Sequence, residues 1–367
     1  MKICVLGGGN GAHTMAADLS LQGFDVTLCE LPQFKKNIEK VIETKSIELM
    51  GAIEGTAELK GATTNIGEAI KDADHLYIVV PAFAHKIFAE LLAGKLKKEQ
   101  VIVLFPGTFG SLEFKEIFRK KGKDIGNVIG ETQTLPYDTR LIAPAKCRII
   151  DRLPAKIAFI PANKSKEILE NMRDVYKALH LKGTYSDVIE AGLNSANPAM
   201  HTGVCVINIG RIENRAIKGD FYLYGEVTPS ATKLNKKLDE ERKEIGKKFG
   251  YNITSLEDYW RGWLKPGWDS KDLLRVMRGD PAALDEAEPN SIWHRYFTED
   301  AAYGIVTWSS IAKQIGIPTP IMDSVINIYN VIHERDWWKE GRTVEDLGLS
   351  GMTMEEMKDY VKTGLKA

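Results

Sequence analysis

The sequence predicts an α/β protein in two parts: an N-terminal domain built on a doubly wound, mostly parallel sheet, and an all-α C-terminal domain. Up to about residue 160, short runs of β-branched residues alternate with helical patterns. This alternation is typical of βαβ units, because parallel neighbouring strands need a crossover between them. After about residue 186 the strand patterns largely stop and the periodicity becomes helical. We therefore expect domains at residues 1–183 and 184–367.

The individual elements follow from the same patterns. The clearest helix is 234–249, where four apolar residues share one face: Leu234, Leu238, Ile245 and Phe249. A stretch rich in Trp, Gly, Pro and charge, 259–289, predicts a surface excursion or lid. The predicted strands, each bounded by Gly, Pro or Asp, are KICVL, DVTLCE, HLYIVV, VIVLF, GNVIGE and AKIAFI.

Length and composition narrow the class of protein. A chain of 367 residues is longer than one hydrophobic core usually grows. The net charge of -1 gives no field of one sign, so nucleic acid is excluded as a predicted partner. The four cysteines form no CxxC pair, so we expect neither a metal site nor a disulfide framework. A protein of this kind is expected in the reducing cytoplasm. The longest apolar stretch, 76–84, falls short of the ~20 residues of a membrane helix, and run 3–6 is too short for a signal-peptide core.

A glycine-rich turn follows the first strand. The run from Gly7 to Ala12 fits the pattern GxGxxA, with glycine at 7 and 9, Asn10 and Gly11 following, and a helical pattern beginning there. The first glycine permits a tight turn, the second lets the backbone approach a diphosphate, and the small Ala12 allows close packing of helix and strand. The diphosphate would lie at the helix N-terminus. The N-terminal domain is therefore predicted to be a Rossmann domain that binds a dinucleotide.

An acidic residue ends the second strand. Glu30 is placed to accept hydrogen bonds from the adenosine ribose hydroxyls and to repel a 2′-phosphate, which favours NAD over NADP. Two alternatives stay open: Glu30 could simply end a strand at the surface, and Lys35 and Lys36 could serve a phosphate, so that NADP is also allowed.

Two further loops follow strands of the same sheet. Ligands of doubly wound sheets bind beyond the carboxyl ends of the strands, so Pro81, Ala82 and Gly107 are expected to border the nicotinamide. Ordinary turn chemistry explains each of the three equally well.

A nicotinamide carries only hydride, so the protein must supply a proton donor and an anchor for the substrate. Of seven histidines, His201 is the candidate, because it lies in LNSANPAMHTG, where Asn197 and Pro198 mark the start of a long helix. A lone histidine more often has a structural role, and that alternative stays open.

The segment IWHRYFTEDAAYGIV offers partners for this histidine. Asp300 or Glu299, before a predicted turn of small residues, could fix the tautomer of an imidazole and raise its pKa. Arg295 offers a planar fork for a substrate carboxylate. An ordinary surface ion pair is the alternative.

With these residues identified, the chain resembles the octopine/nopaline (opine) dehydrogenase family nearly from end to end. The order and spacing of several motifs make the resemblance specific. They are GGGNGAHTMAADL, IVVPAFAH, LFPGTFGSLEF, GETQTLPYDTR, NPAMHTG, FYLYGEVTPSATKLNKKLDEERKEIGKKFG and RYFTEDAAYGIV.

The resemblance implies an enzyme that uses NADH or NADPH to condense an amino acid with a 2-oxo acid and to reduce the resulting imine. It assigns the catalytic histidine to His201, the aspartate that holds it to Asp300, and the carboxylate-binding arginine to Arg295. We add Asn197 to the substrate-binding residues. Where some relatives have Val-Pro after the aspartate, this chain has Ala301 and Ala302, which are expected to reshape a pocket wall.

Two other functions are compatible with a Rossmann domain followed by helices. A 2-oxo or 2-hydroxy acid reductase of the ketopantoate or 6-phosphogluconate type shares the layout, but those enzymes commonly have a lysine where this chain reads NSANPAMH. A non-catalytic NAD-binding protein is the second. The expected partners are small-molecule substrates, and a homodimer is allowed, although no exposed apolar stripe specifies one.

Overall fold

The computed structural model describes residues 1–261, 272–279 and 287–366. The chain forms two compact units, which we call unit 1 (Met1–Gly192 with Lys358–Ala367) and unit 2 (Leu193–Met357). Most of the expected lid, at 262–271 and 280–286, lies outside the described residues. Unit 1 thus takes in residues 184–192 and the end of the chain, which the sequence-based division placed in the second domain.

Contacts within unit 1 explain this assignment. Thr184 pairs with Ile157 of the last strand, which adds the chain after residue 183 to the sheet. At the other end of the chain, Lys366 makes an ion pair with Glu116 at 2.9 Å. Both segments therefore complete the sheet-containing unit.

The central sheet of unit 1 has seven strands in the order β11-β8-β7-β6-β1-β2-β5. All neighbours are parallel except β11, which runs antiparallel to β8 at one edge. All six predicted strands are present, and most of their residues are buried. The strands of this sheet are β1 (Lys2–Leu6), β2 (Asp25–Cys29), β5 (Gly61–Thr63), β6 (His75–Ile78), β7 (Val101–Leu104), β8 (Ile129–Thr132) and β11 (Ile157–Ile160).

A second sheet of four strands, in the order β4-β3-β10-β9, was not predicted. Its strands carry charged or polar residues at alternate, exposed positions, and these masked the apolar half of the pattern. They are β3 (Ser46–Gly51), β4 (Gly55–Glu58), β9 (Tyr137–Ala143) and β10 (Lys146–Arg152).

Helices connect the strands of unit 1, with short 3-10 turns at Pro32–Asn37, Ala82–Ala84 and Ala162–Lys164. The helices are α1 (Asn10–Leu21), α2 (Glu39–Thr44), α3 (Ile66–Ile70), α4 (His85–Leu92), α5 (Gly110–Lys120), α6 (Ser165–Asn171), α7 (Arg173–Ala178) and α8 (Val188–Leu193), the last ending at the start of unit 2.

Unit 2 is helical: the described residues after Ile160 contain no further strand. Its long helix begins at Pro229, capped by the Thr228 hydroxyl, and buries three of the four predicted apolar residues, with Leu234 only half-buried. The helices are α9 (Asn197–Ile207), α10 (Ile209–Glu213), α11 (Arg215–Lys218), α12 (Pro229–Phe249), α13 (Leu256–Arg261), α14 (Leu273–Arg278), α15 (Arg295–Glu299), α16 (Val306–Gln314), α17 (Pro320–His333), α18 (Trp337–Glu340) and α19 (Met354–Thr363), which continues into unit 1.

One prediction about unit 2 was wrong. The small residues after Asp300 form no turn; instead Asp300–Ile305 is a π-helical segment that joins α15 to α16 without a break. Ala301, Ala302 and Gly304 are buried there, so their small size serves close packing inside the unit and not a reversal of the chain. Asp300 therefore lies within a continuous run of helix, and such π-helical turns are frequent at functional sites.

Candidate active site

The glycine-rich turn of unit 1 follows β1 and leads directly into α1. Gly7 has a φ of +128°, and a Cβ added there would lie 2.4 Å from the carbonyl oxygen of Val79. At Gly11 an added Cβ would lie 2.8 Å from a methyl of Leu135. At Gly9 it would meet nothing within 4 Å. Gly7 is therefore required by the fold, and a side chain at Gly11 would have to displace Leu135, whereas Gly9 leaves open space.

The N-terminus of α1 lies at this open space. Gly9 is its N-cap residue and makes no side-chain cap, so backbone N–H groups of the first turn are available to an anion. The Asn10 side-chain oxygen accepts a hydrogen bond from the Leu141 N–H at 3.0 Å, which ties the helix start to β9. Ala12 is fully buried behind it. The Asn10 side-chain oxygen is thus already used by the fold.

Glu30 directly follows β2 and is only 6% exposed. One carboxylate oxygen accepts a hydrogen bond from the Leu31 N–H at 2.7 Å, and the other lies above Gly8, where a Cβ would come within 2.6 Å of it. Burial raises the pKa of Glu30, and hydrogen bonds from Leu31, Asn37 and Gly8 oppose that rise. The carboxylate is held in place before any ligand arrives.

The other predicted cofactor residues lie in two loops, one after β6 and one after β7. Pro81 is exposed, and Ala82 is buried in the 3-10 turn after β6. Gly107 follows β7, and a Cβ there would lie 2.2 Å from the Cβ of Glu131. The Glu131 carboxylate accepts hydrogen bonds from the N–H groups of Phe109 and Ser111 at 3.0 and 2.9 Å, which fixes the loop at the start of α5. The need for glycine at 107 therefore comes from packing against Glu131.

These features fit a dinucleotide. An open glycine at a helix N-terminus suits a diphosphate, and a fixed carboxylate after the second strand suits a pair of ribose hydroxyls. Gly7, Gly9 and Glu30 are the residues of this chain that the fit depends on.

In unit 2, two residues separated by 99 positions come together. The Nδ1 atom of His201 lies 2.7 Å from Oδ2 of Asp300. The side chains are only 4% and 12% exposed. A carboxylate here accepts a hydrogen bond from Nδ1–H and leaves Nε2 as the nitrogen that exchanges protons, because an acceptor at Nδ1 fixes the tautomer of the neutral ring.

Close packing of two helices holds this pair, which we call the dyad. His201 lies one turn into α9, three residues after Pro198, and Asp300 lies four residues before Gly304. A Cβ at Gly304 would lie 2.3 Å from Cγ of Pro198. Pro198 and Gly304 therefore make a second contact between the same two helical segments, and the absence of a side chain at 304 permits it.

Two tyrosines that the sequence analysis did not select complete the site. The hydroxyl of Tyr224 lies 2.9 Å from His201 Nε2. The ring of Tyr296 lies against the imidazole, with ring centroids 4.0 Å apart and planes tilted by 31°. Both tyrosines fall in motifs that carried the family resemblance, FYLYGEVTPS and RYFTEDAAYG, and that was the only available signal for them.

The predicted substrate-binding residues lie near the dyad in sequence and differ from it in exposure. The Arg295 side chain is 52% exposed, lies over the Tyr296 ring at 5.3 Å, and is 4.0 Å from the Glu299 carboxylate. Asn197 is half-buried at the first turn of α9, four residues before His201, and so lies on the same helix face. The structure thus brings His201 and Asp300 into direct contact, with Arg295 and Asn197 on the same elements.

No group of three or more His, Cys, Asp or Glu side chains within the described ranges is arranged to hold a metal ion. Among the helices of the described residues, none combines the length and the apolar character that crossing a bilayer requires.

Known proteins resemble this chain over almost its whole length. The family model described as NAD/NADP octopine/nopaline dehydrogenase, alpha-helical domain, matches residues 184–333. An opine dehydrogenase of Arthrobacter sp. (strain 1C) is 33% identical, with 98% of each chain covered. A vitopine synthase of Allorhizobium ampelinum is 28% identical, with 95% of this chain and 96% of the relative covered.

A solved structure shares the fold. An octopine dehydrogenase in complex with NADH and agmatine superposes with a TM-score of 0.80 at 18% identity, over 100% of this chain and 99% of that one. The predicted fold class is confirmed, as is the predicted enzyme class, an NAD(P)H-dependent oxidoreductase that reductively condenses an amino acid with a 2-oxo acid. The chain belongs to the octopine/nopaline (opine) dehydrogenase family.

Proposed function

We propose that His201 and Asp300 are the acid–base dyad of this reductive condensation, in which an amino acid and a 2-oxo acid form an imine that is reduced to a secondary amine. The observation that carries the proposal is the buried 2.7 Å contact between His201 Nδ1 and the Asp300 carboxylate. A carboxylate in this position stabilises the imidazolium that forms when Nε2 takes up a proton.

The condensation gives this proton a defined destination. Addition of the amine to the 2-oxo acid gives a carbinolamine, and loss of its hydroxyl group as water requires a proton on the departing oxygen. His201 supplies that proton from Nε2, and in the reverse direction it takes a proton from the attacking water. The nicotinamide, when bound, supplies the hydride that reduces the imine carbon.

Substrate carboxylates need a cation. Arg295 is half-exposed, adjoins the residue that stacks on His201, and presents a planar fork suited to two carboxylate oxygens. Asn197 offers an amide on the same helix face as His201. We assign both residues to substrate binding.

For the cofactor we propose a preference for NAD over NADP. Gly7, Gly9, Gly11, Ala12 and the N–H groups at Asn10 would form the diphosphate site. The fixed carboxylate of Glu30 would accept the ribose hydroxyls and repel a 2′-phosphate. Pro81, Ala82 and Gly107 are assigned to the nicotinamide side.

Three further predictions concern the substrate-binding domain, the cellular location and the assembly of the protein. Unit 2 is proposed to be the substrate-binding domain, in place of the sequence-based range 184–367. The protein is expected in the cytoplasm, and a homodimer is one allowed assembly. Size-exclusion chromatography with light scattering, run at several protein concentrations, distinguishes a monomer from a dimer.

The function is tested by following NADH and NADPH oxidation at 340 nm. Pyruvate, glyoxylate and 2-oxoglutarate are each supplied with and without a panel of all common amino acids. Octopine dehydrogenase structures have been solved with NADH and L-arginine and with NADH and pyruvate, so this pair starts the panel.

We expect turnover that depends on both the amine and the oxo acid and is faster with NADH than with NADPH. Turnover with an oxo acid alone, with no gain from any amine, would move the protein to the 2-hydroxy acid reductases. Tight NADH binding without turnover on the whole panel would make it a non-catalytic NAD-binding protein.

A further inference from the structure

The imidazole of His201 has no nitrogen open to a substrate in this structure. Nδ1 is held by Asp300 at 2.7 Å and Nε2 by the Tyr224 hydroxyl at 2.9 Å. Tyr296 stacks on the ring, and the side chain is only 4% exposed. A proton that leaves Nε2 therefore meets the oxygen of Tyr224 first.

The ring of Tyr224 is anchored from the side. It packs edge-on against Trp260, with centroids 5.3 Å apart, and the residue is buried. Three residues after Tyr224, the carbonyl oxygen of Val227 accepts a hydrogen bond from Arg278. Swinging the phenol away from His201 would break this packing.

Arg211 binds both ends of the segment 219–227, which carries Tyr224. Its guanidinium binds both carboxylate oxygens of Glu226, at 2.9 and 3.0 Å. It also donates to the carbonyl oxygens of Gly219 and Asp220, at 2.9 and 2.8 Å. The segment 219–227 is therefore held at both ends, which favours a fixed hydroxyl over one that moves out when substrate binds.

We propose that Tyr224 is a catalytic residue, and that its hydroxyl relays the proton between His201 Nε2 and the reacting oxygen of the substrate. This inference rests on the proposed role of the dyad and adds a third member to it. The relay explains how a base enclosed on all its polar atoms can exchange a proton with a substrate it does not touch.

The relay balances in protons. In the direction of condensation, the protonated imidazole donates its Nε2 proton to the Tyr224 oxygen, while the Tyr224 O–H bond breaks and that proton goes to the departing carbinolamine oxygen, which leaves as water. Afterwards Nε2 is neutral and Tyr224 is again a phenol. In the reverse direction each proton moves the opposite way.

The electrostatic surroundings favour a concerted transfer. Burial raises the pKa of Tyr224 well above its usual range, and neighbouring Tyr296 and Tyr259 raise it further. A free tyrosinate is therefore disfavoured, so the phenol must gain one proton as it loses the other. Two protons are then in motion in one step.

The first test is a proton inventory on the unsubstituted protein, using the most active pair from the substrate panel. Single-turnover NADH oxidation is measured at increasing fractions of D₂O. A relay with two moving protons gives a curved, bowl-shaped dependence of the rate on deuterium fraction. A straight line would overturn the proposal, and this test needs no variant to fold.

The second test is Tyr224→Phe, for which we expect kcat to fall about 10²-fold, in the lower range for general acid–base catalysis, with NADH affinity within twofold. Tyr329→Phe is the matched control, because the Tyr329 hydroxyl is also buried in unit 2 and donates its hydrogen bond to the Thr202 carbonyl of α9, at 2.9 Å, and not to a side chain of the dyad. We expect this control to keep kcat within about twofold.

The outcomes separate the relay from other roles. If Tyr224→Phe keeps kcat, or raises it while KM falls, Tyr224 is a gate and not a relay. Equal losses in both tyrosine variants would mean a structural role and would also overturn the relay. If His201→Asn retains turnover, the dyad itself is wrong; if His201→Asn is inactive and Tyr224→Phe is fully active, only the relay fails.

Discussion

The glycine-rich turn of unit 1 and the dyad of unit 2 are built by different physical means. The turn works through backbone: Gly7, Gly9 and Gly11 matter for the side chains they lack. The dyad works through side chains enclosed in a helical core, with His201 and Asp300 contributed by separate helical segments. A site made of backbone is encoded within a few consecutive residues, whereas a site made of buried side chains depends on the packing of the whole unit.

The largest effect is expected at the dyad. His201→Asn keeps a polar side chain of similar reach but cannot exchange the proton, so kcat should fall about 10³-fold or more. Because the glycine turn belongs to the other unit, the NADH dissociation constant, measured by fluorescence titration, should stay within twofold. A parallel loss of NADH binding would contradict the independence of the two sites.

The next effect separates two glycines of one turn. Gly7→Ala forces a side chain into a φ of +128° and against the Val79 carbonyl, so unit 1 should lose about 3 kcal/mol of stability. Gly9→Ala meets nothing within 4 Å and should cost only about 1 kcal/mol, because alanine is a poorer N-cap residue than glycine, yet weaken NADH binding about tenfold or more.

Urea unfolding and NADH titration of both variants check this contrast. Equal stability losses in the two variants would mean that the turn is not divided into a structural glycine and a binding glycine.

A smaller effect is expected where α9 meets the π-helical segment. Gly304→Ala pushes against Pro198, at a cost of about 1–3 kcal/mol, and displaces Asp300 from His201. We expect kcat to fall about tenfold while NADH affinity is unchanged. Gly210→Ala, on α10 with open space around its Cβ, is the control and should be neutral or slightly stabilising. Unchanged kcat in Gly304→Ala would show that the dyad tolerates movement of its support.

The smallest effect concerns stability alone. Burial favours a higher pKa for Glu116, but hydrogen bonds from Arg119 and Lys366 outweigh it and lower the pKa from 4.5 to about 2. This contribution is present above the unfolded pKa near 4.5 and is lost as the pH falls toward 2. Lys366→Met should therefore cost about 1 kcal/mol at pH 7 and less at pH 3.

Urea midpoints at the two pH values test this, with Lys362→Met as the control, because Lys362 is an exposed residue of α19, the helix that precedes Lys366. If Lys366→Met lost more stability at pH 3 than at pH 7, the predicted pH dependence would be wrong.

These contrasts explain what could be read from the sequence. The β1–turn–α1 unit was predictable because its residues are consecutive and each has a local reason. The strands β3, β4, β9 and β10 were missed because only alternate residues are buried, as in Lys146–Arg152. Asp300 and Glu299 were both candidate partners of His201, and a family resemblance chose Asp300, since no local pattern links residues 99 positions apart.

The remaining features of the site had no sequence signal of their own. Tyr224 reaches His201 only through the tertiary course of segment 219–227, which is set by Arg211 and its partners. The π-helical segment at Asp300–Ile305 was predicted as a turn, because small residues are common in both.

The course of the chain through the two units has a consequence for biosynthesis. Unit 1 consists of the first 192 residues and a segment that begins at Lys358, with all of unit 2 between them. At a translation speed of about 5–20 residues per second, the ribosome needs roughly ten to thirty seconds to make the intervening stretch. Through that interval the nascent Rossmann sheet lacks the buried Tyr360 and Val361 and also Lys366, which pairs with Glu116. Completion of the first unit therefore waits for the last turns of helix to leave the exit tunnel.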